Sequence, residues 1–392
     1  MELAERAGAY AQVDAGYRAY VPRDLPPVPP LSLEAGHWDD LSRAERALAR
    51  LDERLAFLKL PAEALRWLSL GESLASARLD GIHVRLAELL AAPTLDPFGK
   101  RDRQPADSSG GSGAGLSPAA ASVLSAERAA SELCRRARRP APRTALLRAL
   151  HAQQSGASAR PRTWREDEVW IGPRGSTIHT ARFVPPPPLL VPSAMEALDG
   201  YLGAPAEHAP LVRAALVYHQ IETVQPLASG TGRANRMFSA LLLARSGVAA
   251  APLLPLSRFF LRDPGEYLGH LQRVREVGDW ETWVGYFLRA LAWAGERAAE
   301  DAQRLYDLGE HQRSMIRREM PGQVEPADRL LDFLLRRPVV SVGEVVTAVG
   351  RTFANANQLV ARFEALEILT EITGARRNRR YRYEGLAQLL RR

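Results

Sequence analysis

The sequence predicts a mainly α protein with a small β-hairpin flap and a C-terminal winged helix-turn-helix. Three observations carry this. Apolar residues recur at helical spacing through most of the chain, as at Leu41, Ala44, Leu48, Leu51 and Leu55. Strand-like runs are confined to 168–184 and 368–383. After Pro321 the texture changes, and three helical patterns are followed by two strands around a basic turn.

The composition is that of a globular chain of two or three domains: 392 residues, 46% hydrophobic and 25% charged. A single cysteine, Cys134, excludes an intramolecular disulfide framework and a cysteine-cluster metal site, and it suits a reducing cytosol. The start is helix-like and mixed in charge, unlike a signal peptide, and no apolar run approaches membrane-spanning length. The expected location is therefore cytoplasmic, with no membrane partner. The net charge of +7 is uneven: Asp328 to Arg392 holds twelve arginines against seven acidic residues. A localised excess of this kind suits an acidic partner such as nucleic acid.

Four regions are expected. Residues 1–92 form an N-terminal arm and helices. In them, Pro22 to Pro30 reads as an extended polyproline-like arm, and helices follow at 39–56 and from Pro61 onward. The second helix runs into Ser76 and Asp80, with Gly81 ending it; an aspartate there opposes the helix dipole and calls for an arginine partner. Residues 93–118, with their Ser/Gly run, read as a flexible linker or insertion. Residues 119–320 form the main helical core, interrupted by two short strands at 168–172 and 178–184 around a turn at 173–176. An exposed edge there, at Trp170, Ile171 and Gly172, can pair with an extended peptide. Residues 326–392 hold the winged helix, with Ser341 as a helix cap and 352–366 as the recognition helix. Its candidate DNA contacts are Arg351, Arg362, Arg376, Arg377, Arg379 and Arg380.

The stretch from Val224 to Arg236 joins two helical patterns through a loop. Gly230 and Gly232 let backbone N–H groups converge, and the following helix adds the positive end of its dipole. Arg233 and Arg236 share one face of its first turn and can grip further oxygens. Chemically this is an anion cradle.

These segments, in this order, resemble the Fic (Fido-fold) family, in particular bacterial members with an N-terminal inhibitory helix and a C-terminal winged helix. The resemblance rests on the 76–81 segment, the Trp170-Ile171-Gly172 flap, Phe183-Val184-Pro185-Pro186, the 225–236 loop, Gly278-Asp279-Trp280 and the basic wing. It implies a Fic helical core and protein adenylyltransferase chemistry: AMP passes from ATP to a target-protein hydroxyl. The family core motif is H-P-F-x-(D/E)-G-N-G-R-x-x-R. Here Pro226, Gly230, Gly232, Arg233 and Arg236 match, and Leu227 replaces the phenylalanine. Gln225 stands at the position of the family's histidine base, Ser229 at that of the acidic Mg²⁺ ligand and Thr231 at that of the asparagine.

The resemblance thus implies a phosphate-binding loop of Gly230, Thr231, Gly232, Arg233 and Arg236, with ATP as the expected nucleotide. Glutamine has no group that titrates near neutral pH, and a positioned base is worth about 10²–10⁴-fold. Ser229 is a weak Mg²⁺ ligand where a carboxylate is preferred, so Mg²⁺ retention is in question. Ser76, Asp80 and Gly81 resemble the inhibitory motif (S/T)-x-x-x-E-(G/N), with aspartate in place of the family's glutamate, and the resemblance implies that Asp80 pairs with Arg236. His219 lies well off the Gln225 direction along its helix, and His179 sits in the flap.

The expectation is a pseudoenzyme that keeps the loop and loses transfer. Two alternatives stand beside it: a transferase with an altered base, and a non-catalytic regulator whose winged helix binds DNA or protein. The target protein is open, as is the oligomeric state, with a homodimer among the options.

Overall fold

The computed structural model describes residues 3–13, 16–92, 116–136, 144–154, 163–205, 207–248 and 253–391. The chain opens with strands β1 (Gly8–Val13) and β2 (Tyr17–Pro22). Helices α1 (Ala35–Leu58), α2 (Ala62–Leu79), α3 (Leu86–Ala91), α4 (Pro118–Arg136) and α5 (Ala145–Gln154) follow. Next come α6 (Val191–Gly203), α7 (Pro210–Val224), α8 (Thr231–Arg245), α9 (Leu256–Phe260), α10 (Pro264–Val277) and the long α11 (Trp280–Glu319). The chain ends with α12 (Val324–Arg336), β3 (Val339–Val340), α13 (Val342–Val349), α14 (Phe353–Ala365), β4 (Leu369–Glu371), β5 (Tyr381–Tyr383) and α15 (Glu384–Arg391). The protein is therefore mainly α. The Ser/Gly-rich part of the 93–118 segment lies outside the described residues. No helix among the described residues is long and apolar enough to cross a membrane.

Two compact units emerge, and neither is continuous in sequence. The first comprises Met1–Glu53, Glu72–Ile82 and Ser125–Ala298. Its centre is α7, in which every residue from Ala214 to Val224 is buried. Val217, Ile221 and Val224 pack with Leu147 and Leu150 of α5, Met195 and Leu198 of α6, and Phe238 and Leu241 of α8. On the other side Tyr218 meets the rings of Phe260, Trp283 and Phe287. Such all-round burial fixes both ends of α7, including the end that delivers Gln225.

The N-terminal segment corrects an expectation. Before the proline run, β1 and β2 form an antiparallel hairpin in register from Gly8↔Pro22 to Val13↔Tyr17. Tyr20 N–H donates to the Val184 carbonyl at 2.9 Å, and its buried ring meets Phe183. Alanine-rich strands are weak signals in a sequence, and here tertiary pairing overrides propensity.

The flap is also simpler than expected. The segment 168–184 contains one bridge, Ile171↔Phe183, rather than two strands. Ile171 and Phe183 exchange N–H···O bonds of 2.8 and 3.0 Å. Trp170 Nε1 donates to the Ser176 carbonyl, folding the loop on itself, and Pro173 and Pro185 leave no room for a longer ladder. A Cβ on Gly172 would lie 2.5 Å from Ser176 Oγ and 3.3 Å from Ala181 Cα, so a larger residue there would have to displace the Ser176 hydroxyl.

The second unit comprises Arg54–Gly71, His83–Leu124 and Ala299–Arg392. Its C-terminal part packs α12, α13 and α14 against a three-stranded sheet of order β3-β5-β4. Strand β3, two residues long, escapes any periodicity in the sequence, yet it pairs antiparallel with β5 through Val339↔Arg382 and Val340↔Tyr381. Ser341 and Glu344 form a reciprocal capping box at the start of α13.

Candidate active site

The site lies within the first unit, at the turn from α7 into α8. Gln225 terminates α7 in the left-handed region, with φ 46°, and its N–H still bonds Ile221. Left-handed backbone is costly for a residue with a Cβ, so its surroundings must hold it. Two arginines do so by taking the carbonyls that a helix end leaves open. Arg165 Nε donates to the Gln225 carbonyl at 2.8 Å, and the same guanidinium reaches the carbonyls of Asp167, Pro186 and Val224. Arg275 donates to the Glu222 carbonyl at 3.1 Å and lies 3.7 Å over the Phe183 ring. Burial lowers the pKa of Arg275 to about 10 against the pull of Glu222. Both arginines escaped the sequence reading; they are remote in sequence from the loop, and nothing local marks them.

The side chain of Gln225 turns back onto its own helix. Nε2 donates to the Glu222 carbonyl at 3.0 Å and to Glu222 Oε2 at 3.2 Å. Asn235 Nδ2 holds the other carboxylate oxygen of Glu222 at 3.0 Å. Burial raises the Glu222 pKa, opposed by Arg236 and Asn235.

The loop continues through exposed Ala228 and Ser229 to Gly230, which caps α8 at φ 67°. Helix α8 begins at Thr231. The Thr231 hydroxyl bridges both backbone groups of Leu227. The first i→i−4 bond of α8 is Ala234 to Gly230, so the N–H groups of Thr231, Gly232 and Arg233 precede the helical ladder. This is the anion-binding end of a helix.

An internal anion already occupies its arginines. Asp80 Oδ2 accepts from Arg233 Nε at 2.9 Å, and Asp80 Oδ1 accepts from Arg236 Nη2 at 2.9 Å. Ser76 accepts twice from Arg236, at Oγ (2.7 Å) and at its carbonyl (2.9 Å). Gly81 sets this up. At φ 74° it ends α2 in a Schellman motif, with Ile82 N–H on the Ala77 carbonyl and Gly81 N–H on that of Arg78. The helix end therefore points Asp80 at the cradle. Burial alone would depress Arg236, but Asp80, Tyr218, Tyr267 and Glu222 outweigh it and raise its pKa. Four residues before Ser76 on α2, Glu72 accepts from the Ser257 N–H at 3.0 Å and from its hydroxyl.

The remaining histidines divide clearly. His219 is buried between Trp280 and Trp283, with Nε2 3.1 Å from the Leu271 carbonyl. Burial, aided by Arg275, lowers its pKa to about 3, so it is a neutral core residue. His179 is exposed in the flap beside Tyr17. His151, from α5, is the one that sequence spacing missed: it lies against the Ser229 backbone. Burial lowers its pKa, the Ser229 backbone opposes this, and Arg233 adds to the lowering.

Trp170, Ile171 and Gly172 are exposed on the flap. Ser229 offers a neutral oxygen, where a carboxylate is the preferred Mg²⁺ ligand.

Of the DNA candidates, Arg351, Arg362, Arg376 and Arg377 are exposed in the second unit. Arg379 bonds the Ala375 carbonyl. Arg380 pairs with Glu344 at 3.2 Å, beside Arg337 at 2.9 Å.

Residues 142–243 match the model of the Fic/DOC family. Among solved structures, the chain is similar to the crystal structure of a Fic family protein from Desulfovibrio desulfuricans, with 18% identity and a TM-score of 0.56 over 90% of this chain and 97% of that one. A Fic domain containing signaling protein from Bacteroides thetaiotaomicron also matches, with 17% identity and a TM-score of 0.45 over 67% of this chain and 98% of that one.

Proposed function

We infer that this Fic-family protein binds nucleotide phosphates on its 230–236 loop, with ATP the expected ligand, and that transfer from the bound nucleotide is silent or strongly impaired. Fic-domain proteins generally transfer AMP or another phosphate-linked group. The observation that carries the impaired reading is Gln225: at the base position stands an amide that donates to Glu222 and cannot take a proton. Loss of a positioned base costs about 10²–10⁴-fold. The neutral Ser229 compounds this by leaving any Mg²⁺ to the nucleotide phosphates and water.

Nucleotide binding draws support from the start of α8, where the N–H groups of Thr231, Gly232 and Arg233 precede the helical ladder, and from Asp80. Its carboxylate satisfies Arg233 and Arg236 much as a phosphate oxygen pair would. Asp80 would therefore compete with the outer phosphates, which is an inhibitory role for Ser76, Asp80 and Gly81. The exposed flap at Trp170, Ile171 and Gly172 is where a target peptide would lie.

A second reading, a transferase with an altered base, is favoured by His151, a titratable imidazole against the Ser229 backbone. The two readings separate in one experiment. The protein is incubated with radiolabelled ATP, Mg²⁺ and lysate, beside Gln225→His, Gln225→His/Ser229→Asp and His151→Ala. Label should appear with the restored variants and not with the native protein. Native label that vanishes with both Arg233→Ala and His151→Ala would replace the first reading by the second. Absence of ATP binding in calorimetry, even with Asp80→Gly, would remove the nucleotide.

A further inference from the structure

Residues 324–383 run α12, β3, α13, α14, β4, β5, with sheet order β3-β5-β4. We propose that this module is a winged helix that reads double-stranded DNA. Helix α14 enters the major groove, the loop between β4 and β5 holds the adjacent phosphates, and Asn357 and Gln358 select adenine-containing base pairs.

Helix α14 has two different faces. Ala356, Leu359, Val360 and Phe363 are buried against the module core. Opposite them Ala354, Asn357, Gln358, Ala361 and Ala365 are exposed. At about 100° per residue these five fall within an arc of roughly 100°. The arc itself holds no aliphatic side chain larger than alanine, and the one large apolar side chain exposed on α14, Phe353, lies beside it in the first turn. Its alanines allow close approach of the helix to a groove floor. Its two amides carry a donor and an acceptor side by side, the pattern that matches adenine N6 and N7 in the major groove. Asparagine is a poor helix former, yet the exposed side of α14 carries Asn355 and Asn357. That local cost is explained if the side chains make contacts outside the chain.

The rim is cationic. Arg351 immediately precedes the cap Thr352, whose Oγ1 accepts from Asn355 N–H, so a positive charge stands beside the positive end of the helix dipole. Arg362 flanks the arc, and Arg376 and Arg377 stand on the wing. These four are exposed and make no ion pair among the described residues. The exposed acids Glu364 and Glu367 lie in the last turn of α14 and just beyond its end. The wing is held in place from its base: Glu344 takes both Arg337 and Arg380, and Glu371 accepts the N–H groups of Thr373 and Gly374. Charge complementarity with a phosphate backbone thus surrounds a face suited to base edges.

The test uses the full chain. A randomised double-stranded DNA library is selected on the protein, and affinity for the enriched duplex is measured by fluorescence anisotropy across salt. Enrichment of adenine-containing steps is expected, with log affinity falling linearly with log salt. Arg376→Ala/Arg377→Ala should reduce that slope by about two, roughly one per lost phosphate contact. Asn357→Ala/Gln358→Ala should keep the slope and lower discrimination between enriched and scrambled duplexes by roughly tenfold or more. All four positions are exposed, so thermal unfolding should match the parent. The proposal is overturned if no sequence is enriched, if the slope is unchanged in the arginine variant, or if discrimination survives in the amide variant. Capture of a protein with no duplex binding would overturn it as well. The Fic loop plays no part, so this proposal stands or falls separately from the nucleotide reading.

Discussion

Asp80 Oδ1 lies 2.9 Å from Arg236 Nη2, and the arginine side chain is only 4% exposed. A buried guanidinium that loses its carboxylate keeps its desolvation cost without compensation. Asp80→Ala should therefore destabilise the protein by about 2–4 kcal/mol, moderated by the two bonds to Ser76. In a double-mutant cycle with Arg236→Met, the coupling should be about 1–3 kcal/mol. A coupling under about 0.5 kcal/mol would mean that Ser76, not Asp80, secures Arg236. The same Asp80→Ala change should raise ATP affinity by tenfold or more, because Asp80 and the outer phosphates compete for one pair of cations.

Arg165 shows how the loop is held from behind. It donates to four carbonyls, drawn from its own segment, the base of the flap and the end of α7. Arg165→Met should cost about 3–5 kcal/mol, since several carbonyls lose their donor at once. Arg165→Lys should rescue little, because an ammonium cannot span the planar fork. Chemical denaturation of the two variants decides this; a lysine variant as stable as the parent would show that charge alone suffices.

The site divides by how far its causes lie from it in sequence. Gly230, Gly232, Arg233 and Arg236 were legible because a turn and the first coil of a helix are local events. Asp80 was legible as a residue that needs a cation, from its place beside Gly81. Arg165, Glu222, Arg275 and Ser257 were not. Each is a buried polar group whose partner comes from another segment, and a sequence does not show which segments meet. His151 stays hidden for the same reason, since the packing of α5 on α8 brings it to Ser229. The fold was read well where periodicity is strong, as in α1, α7 and α14. It was misread where strands are short or alanine-rich, as in β1, β2 and β3, because pairing partners rather than propensity make those strands.

Glu72 provides a pH dependence whose sign can be worked out. Burial pushes its pKa up to about 7, against the opposing effects of Ser257, Arg236 and Arg258. The folded protein thus holds this proton more tightly than the unfolded chain does. Its contribution to stability is complete below the ordinary carboxyl value and is lost as pH rises through about 7. The loss amounts to about 3 kcal/mol over that interval. Thermal unfolding from acid to neutral pH should show this decline in the parent, and Glu72→Gln should flatten it. Parallel curves for the two proteins would show that Glu72 titrates near its ordinary value.

Two glycines test how firmly the Asp80 grip is set. At Gly71, within α2, a Cβ would meet no heavy atom within 4 Å. Gly71→Ala should therefore stabilise by about 0.5–1 kcal/mol, through helix propensity and a less free unfolded chain. Gly232 sits in the first turn of α8 and would gain from the same two effects. There, however, a Cβ would lie 2.9 Å from Arg236 Nη1 and 3.3 Å from Asp80 Oδ1. The guanidinium cannot easily give way, because Ser76 Oγ, the Ser76 carbonyl and Asp80 Oδ1 already fix it. Overpacking against a fixed group costs about 1–3 kcal/mol, more than the propensity gain. Gly232→Ala should thus destabilise the protein, and it should weaken ATP binding further by crowding the arginine that would meet the phosphates. If both alanine variants proved more stable than the parent, the Arg236 guanidinium would have to be free to move, and the clamp by Asp80 and Ser76 would be looser than its distances imply.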